Sequence, residues 1–331
     1  MDPLISIVVP IYNQEAYIAA CLDSLFSQAG EAVELILIDD GSTDGSAAIC
    51  ETYIRQHAAR ARLIRQSNHG LLKTRQIGVS EASGKYILCV DSDDCLFEGA
   101  VEALLDTIRR RSPDIILFNA SNDPEKRTPL FTYPFGDGAV FTGEEKYTLY
   151  RLLCGTDKLN NIWAKCIRRT LYTEEVFRDS DGISNGEDLY QSLVLTDRAE
   201  TVVYLNRVLY YYRVTRGSMS RTYQARHFQS EKKVCARRLA YAEKWSHGGE
   251  LVRAADVWIC RILRDITRKL FVSDLPRAQA AQELRSLRAD AFYQAHYLRS
   301  KADSNVRDIV LKSPQPVFDL FRLIYRLKPR G

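Results

Sequence analysis

The side chains best equipped for chemistry in this chain are carboxylates in three short clusters: Asp39-Asp40-Gly41-Ser42, Asp91-Ser92-Asp93-Asp94 and Glu187-Asp188. Alternate residues leaving a strand point to opposite sides, so Asp91 and Asp93 converge on one ligand only through a turn, which the short Ser92 permits. Bare carboxylates repel a diphosphate. A divalent cation between them, Mn2+ or Mg2+, removes the conflict by taking oxygen ligands from both sides. The bland alternative is a solvated acidic turn that caps a helix from about Phe97. Glu187 and Asp188 likewise suit the N-terminus of a helix through its dipole, whatever else they do.

Other ligand devices fail. Gly78-Val79-Ser80-Glu81-Ala82-Ser83-Gly84-Lys85-Tyr86 resembles a P-loop, but it has one residue too many between the glycines and lacks the hydroxyl that would hold magnesium. No GxGxxG follows the first strand. Eight cysteines at 21, 50, 89, 95, 154, 166, 235 and 260 form no CxxC pair, and the five histidines have no ligand spacing. With no basic, apolar leader after Met1-Asp2-Pro3, they read as reduced thiols, and the chain is expected in the cytoplasm.

The net charge of +4 hides an asymmetry. Residues 1–120 hold 10 Lys+Arg against 17 Asp+Glu, and residues 121–331 hold 36 against 25. The acidic part suits a cation site. The basic part suits an anionic partner such as a diphosphate, a phosphate-linked acceptor or a membrane surface. No nucleic-acid recognition motif accompanies the charge, so nucleic acid is not expected as a partner.

The clusters need elements to position them, and the sequence supplies a regular alternation. Leu4–Pro10 and Tyr86–Val90 read as short buried strands, and Val33–Asp39, Arg62–Arg65 and Asp114–Asn119 as further strands. Helical stripes separate them, at Ile18–Phe26, Ser46–His57, Leu71–Ala82 and Phe97–Arg111. This order predicts an α/β fold with a mostly parallel, doubly covered sheet. Ligands of such sheets bind beyond the carboxyl ends of the strands. Tyr12-Asn13, Asp39–Ser42 and Asp91–Asp94 all fall there. Residues 121–142 read as irregular, 143–200 as mainly helical, 201–214 as extended, and the chain beyond 222 as helical.

Ile7-Val8-Val9-Pro10-Ile11-Tyr12-Asn13, then Ile38-Asp39-Asp40-Gly41-Ser42-Thr43-Asp44-Gly45-Ser46, then Asp91-Ser92-Asp93-Asp94, resemble the family 2 inverting glycosyltransferases of the A-type nucleotide-sugar (GT-A) fold. Asn68–Gly78 is similar to that family's stretch between its second and third motifs. The resemblance implies that Pro10, Tyr12 and Asn13 line the nucleotide pocket. Asp40 accepts from the base's ring N–H, as uracil would offer. Lys73 and Arg75 approach the donor's ribose or sugar, as do Asp91 and Ser92, while Asp93 and Asp94 hold the metal. Asn185-Gly186-Glu187-Asp188-Leu189-Tyr190 resembles the family's Glu-Asp motif, which makes Asp188 the general base. An inverting transfer is one in-line displacement, so a carboxylate must take the acceptor's proton opposite the leaving UDP.

Trp163, in Asn161-Ile162-Trp163-Ala164-Lys165, is either a sugar-stacking platform or a core aromatic, and Lys165 is equally open. Arg213, Arg216 and Arg221 either close over the diphosphate or are surface arginines. The Gln/Arg-x-x-Arg-Trp motif of processive synthases is absent, which points to single-sugar transfer of the kind that builds surface polysaccharides. Residues 316–330 form a basic, amphipathic helix that either lies on a membrane, at its inner face, or packs on the protein itself.

The expectation is a donor half at 1–120, an acceptor half at 121–221 and a helical C-terminal region at 222–331. The enzyme would move one sugar from a UDP-sugar to a hydroxyl of a glycan or lipid-linked acceptor. The rival readings are a sugar transferase to polyprenyl phosphate and a non-catalytic sugar-nucleotide-binding protein.

Overall fold

β1 (Ile5–Ile11) and β2 (Val33–Asp39) are buried along their whole lengths, as unbroken apolar runs flanked by helices must be. They pair in parallel, Ile11 opposite Asp39, and β3 (Arg60–Arg65) adds in parallel beyond β2. On the other side β4 (Tyr86–Cys89) pairs in parallel with β1, Val8 opposite Cys89. The helices between them are α1 (Ile18–Phe26), α2 (Ser46–Gln56) and α3 (Leu71–Glu81). Gly78 lets α3 lie close against β1, since a Cβ there would collide with the Val8 side chain.

The structure, a computed structural model, describes residues 2–57, 60–214, 223–298 and 313–327. The chain folds as two compact units, 1–149 with 157–214 and 150–156 with 215–331. The first carries a nine-stranded mixed sheet in the order β3-β2-β1-β4-β8-β6-β9-β5. β5 (Cys95–Leu96) and α4 (Ala100–Arg111) follow the Asp91–Asp94 turn. The helix expected from Phe97 therefore starts three residues later, after a two-residue strand that pairs with β9.

β6 (Ile115–Ser121) and β9 (Val202–Tyr211) run parallel to each other, and β7 (Val140–Phe141) pairs with β9. The segment 143–200, expected to be mainly helical, contains α5 (Tyr147–Gly155), α6 (Glu174–Phe177) and α7 (Glu187–Arg198), and it also contributes a strand. β8 (Lys165–Arg168) inserts antiparallel between β4 and β6. Only four residues long and charged at both ends, β8 has no apolar run to announce it.

The second unit is helical: α8 (Ala225–Trp245), α9 (Glu250–Val272), α10 (Arg277–Ala289), short turns over 291–298, and α11 (Gln315–Leu327). Its core joins Phe228, Cys235, Ile259, Leu263, Leu270, Leu284 and Phe318.

Candidate active site

The loops after β1, β2 and β4 leave the same edge of the sheet. Asp40 N–H donates to the Ile11 carbonyl, and Val90 N–H to the Val8 carbonyl. Asn13, in the left-handed region at φ 53, spans the first two loops. Its backbone N–H donates to Ser42 Oγ, and its side-chain oxygen accepts from Thr43 N–H at 2.8 Å. Pro10 is buried just before it, whereas the Tyr12 ring is 48% exposed at the rim.

Asp40 is buried and holds the loop that follows β3. Its Oδ1 accepts from His69 N–H at 2.8 Å and Gln66 Nε2 at 2.7 Å, and its Oδ2 from Gly70 N–H at 2.9 Å. Gly70, at φ 84, opens α3, so this carboxylate also sits at that helix's N-terminus. Asp39 accepts from Ser42 N–H and lies 3.6 Å from Arg65. Lys73 is exposed and donates to Gln76 Oε1.

Arg75, two residues further along α3, joins two distant motifs. Its Nη2 reaches Asp91 Oδ1 at 2.9 Å, and its Nη1 reaches Asp188 Oδ1 at 2.5 Å. The side chain is 1% exposed, while those of Asp91 and Asp188 keep 25% and 21%. A buried cation thus lies beneath two carboxylates that both remain open to solvent. Those two carboxylates raise the Arg75 pKa, against the burial that alone would lower it.

Asp91–Asp94 is a turn closed by Asp94 N–H donating to the Asp91 carbonyl, with Ser92 buried inside it. Asp94 faces inward: Oδ2 accepts from the Tyr210 hydroxyl and Oδ1 from Arg213 N–H, both at 2.7 Å. Tyr210 in turn accepts from Asp91 N–H. Arg213 Nε donates to the Asp93 carbonyl, and its guanidinium lies over the rings of Tyr17 and Tyr211. In this arrangement Arg213 braces the acidic turn. Arg216 and Arg221 lie outside the described residues. Burial, then the charges of Asp91 and Asp93, push Asp94 up to about 8. Burial first and Asp91 second raise Asp93 as well.

Mutual repulsion of this kind is what a divalent cation relieves. Asp94 is only 1% exposed, with both oxygens turned inward to Tyr210 and Arg213, so the carboxylates that fit a cation are Asp93 and the second oxygen of Asp91. Among the described residues no cluster of three or more His, Cys, Asp or Glu could hold a metal. Two carboxylates completed by phosphate oxygens and water are an ordinary set for Mg2+.

Glu187 and Asp188 open α7 behind Gly186, whose φ of 81 makes the bend into the helix. Asp188 Oδ2 accepts from Ile162 N–H at 3.2 Å. With one partner on each oxygen, it keeps free lone pairs. Burial, then Asp188, push Glu187 up to about 7. Trp163 is buried and stacked on Tyr210 and Tyr212, with centroids 4.7 and 5.5 Å away. Its ring supports Tyr210, which sequence reasoning passed over. Three consecutive tyrosines gave no sign of which one turns inward, and the alternation of β9 is what selects Tyr210.

Residues 6–174 match the family model described as Glycosyl transferase family 2. The chain is a family 2 glycosyltransferase. GlyG, a glycosyltransferase of Streptococcus pneumoniae serotype 4 (strain TIGR4), is 31% identical over 228 residues, covering 67% of this chain and 74% of GlyG. GlyA of the same organism is 32% identical over 228 residues, but this chain spans only 32% of GlyA's length. Residues 1–349 of TarS from S. aureus, solved with UDP-GlcNAc, match at a TM-score of 0.65. That match covers 97% of this chain and 91% of the TarS chain at 18% identity. PcManGT from Pyrobaculum calidifontis, solved with GDP-Man and Mn2+, matches at 0.54 and 13% identity, covering 100% and 89%. At such identities the likeness is one of fold, the GT-A fold of nucleotide-sugar transferases. The family 2 glycosyltransferase described here therefore carries its buried Arg75 bridge on a shared scaffold.

Proposed function

We propose that the chain transfers a single sugar, with inversion, from a UDP-sugar to a hydroxyl of a glycan or lipid-linked acceptor. The observation that carries this reading is the Arg75 bridge, which joins the strand-end acidic turn to a carboxylate 97 residues later in the chain. Donor and acceptor chemistry need such a junction, because the leaving diphosphate and the attacking hydroxyl lie on opposite faces of one sugar carbon. TarS, solved with UDP-GlcNAc, supports a uridine donor.

The nucleotide would lie against Pro10, Tyr12 and Asn13, with Tyr12 packing on the base. Asp40 would accept from the base through the remaining lone pair of Oδ2. Asp91, Ser92 and the exposed Lys73 border the ribose and sugar. Asp91 and Asp93 would hold Mn2+ or Mg2+, which when bound offsets the diphosphate charge. Asp188 takes the acceptor hydroxyl's proton as the oxygen bonds to the sugar's C1 and the C1–O bond to UDP breaks. The Arg75 cation steadies the carboxylate during that transfer.

Titration of UDP into metal-free protein, with and without Mn2+, tests the donor site. Binding should require the metal and weaken at least tenfold in Asp93→Ala, whereas equal binding without Asp93 would make the acidic turn structural. Asp188→Asn should lower transfer by about 100-fold or more at unchanged UDP affinity. Near-full activity would favour a phosphate oxygen as nucleophile, since that acceptor needs no base.

Membrane contact through the C-terminal helix is a second part of the proposal. α11 docks by Phe318 and by Arg322, whose guanidinium donates to the Ser273 and Leu275 carbonyls. Val317, Leu320 and Leu323 lie outward, the two leucines 56% exposed. A helix apolar on both sides calls for a second partner. The second unit holds 25 Lys+Arg against 11 Asp+Glu, so a like-charged copy is disfavoured and an anionic lipid surface is favoured. Among the described residues no helix is long and apolar enough to cross a membrane, so the contact would be interfacial.

A further inference from the structure

Lys165 has no part in the transfer just described, yet it occupies one of the costliest positions in the fold. Its side chain is 1% exposed, and burial pushes its pKa down to about 7. Such a lysine persists where its donors are needed. Nζ donates to the Leu159 carbonyl at 2.8 Å, to the Asn161 carbonyl and to Ser192 Oγ at 3.3 Å. With Asn161 Oδ1 a fourth, longer contact at 3.5 Å, all three hydrogens of an ammonium group find acceptors. Ser192 Oγ passes its own hydrogen to the Asn160 carbonyl at 2.7 Å. The carbonyls of three consecutive residues are thus drawn to one point.

The next backbone group is the Ile162 N–H, and it donates to Asp188 Oδ2. Lys165 N–H donates back to the Ile162 carbonyl and closes the turn from its other side. Ser192 sits four residues beyond Asp188, one turn along α7, so turn and helix are tied together beside the carboxylate. Asp188 is therefore gripped at one oxygen by Arg75 and at the other by a backbone group that Lys165 presents.

We propose that Lys165 is a positioning residue for the proton-accepting carboxylate, acting through the 159–162 turn on the transfer step and leaving donor binding untouched. The proposal rests on the reading of Asp188 as base. A displaced base lowers the rate of the chemical step without altering the nucleotide pocket.

The test compares the wild type with Lys165→Met, Ser192→Ala, Asp188→Asn and the Lys165→Met/Asp188→Asn double variant of the full chain. The probes are UDP affinity by calorimetry in Mn2+ and UDP release from whichever UDP-sugar the wild type turns over. Lys165→Met should lower kcat by about 10- to 100-fold, with UDP affinity within about twofold of wild type. Ser192→Ala, which keeps the lysine and removes one of its acceptors, should show a smaller loss of the same kind. In the Asp188→Asn background, Lys165→Met should cost nothing further, because the two act as one unit. A full-sized additional loss in that background, a parallel fall in UDP affinity, or a wild-type rate in Lys165→Met overturns the proposal. If Lys165→Met shows no cooperative melting, Ser192→Ala decides alone: a reduced kcat at unchanged UDP affinity supports the lysine's role, and a wild-type rate refutes it. An Asp188→Asn variant at full rate overturns the base itself, a result separate from any of these.

Discussion

The two units of this glycosyltransferase carry net charges of opposite sign and differ in what their buried charges are for. The first holds 21 Lys+Arg against 31 Asp+Glu, net −10, and the second is net +14. In the first, charged groups are taken inside. Asp40, Asp94, Arg75 and Lys165 are all buried, Arg75 held by two carboxylates and the other three by backbone and neutral side-chain groups. In the second, the core is aliphatic and aromatic, with Glu231, Arg238 and Arg322 buried beside it and most of its other described charges outside. Such a core asks only for apolar area and good packing. Buried ions need every partner in place, because the desolvation cost is repaid only when geometry is complete. The first unit therefore spends stability on arrangement, and the second supplies a packed body with a basic surface.

Substitutions that break the bridge should separate the units most sharply. Arg75→Met leaves Asp91 and Asp188 without their cation and should cost about 3–5 kcal/mol in denaturant unfolding. It should also cost at least tenfold in UDP affinity through the displaced Asp91. By contrast Leu263→Ala, in the core of the second unit, should cost about 2–5 kcal/mol by the cavity it leaves, with UDP affinity at 25 °C unchanged. A loss of UDP binding in Leu263→Ala would overturn the comparison.

Glu34 sharpens the comparison from within the first unit. It is a buried carboxylate with no part in the proposed chemistry, accepting from Ser6 Oγ and from Ser83 and Gly84 N–H, with Arg62 at 3.1 Å. Burial alone would raise its pKa, but those hydrogen bonds hold it below the ordinary value of 4.5. Stability from a depressed carboxylate is present above the unfolded value and lost as pH falls through the folded one. Glu34→Gln should cost about 1–3 kcal/mol at pH 7, and the gap to wild type should close below about pH 4.5. A gap independent of pH would mean that packing, not charge, is what Glu34 supplies.

The smallest expected effect is on the outside of the second unit. Leu320→Gln with Leu323→Gln should change unfolding by no more than about 0.5 kcal/mol. It should still lower sedimentation with vesicles of 30% phosphatidylglycerol in phosphatidylcholine several-fold. Equal binding to pure phosphatidylcholine would remove the electrostatic part of the argument, and a wild-type dimer that the variant abolishes would replace the membrane with a second copy.

The sequence by itself determined the alternating order of the first 120 residues, because unbroken Ile/Val runs and 3.6-residue stripes need no distant partner to be legible. It also determined which strand ends carry acidic loops, since clustered aspartates stand out against apolar strands. The boundaries of β2 and α1 are those the apolar pattern gives. Only the tertiary structure decided that β8 enters the middle of the sheet and that Asp94 turns inward to Tyr210 while Asp93 does not. It alone joined Arg75 to both Asp91 and Asp188. These facts depend on contacts between residues 16 to 119 apart in the chain. A residue's type shows what it can bond, but its partner across such a distance is chosen by the packing of the whole unit, which no local pattern records.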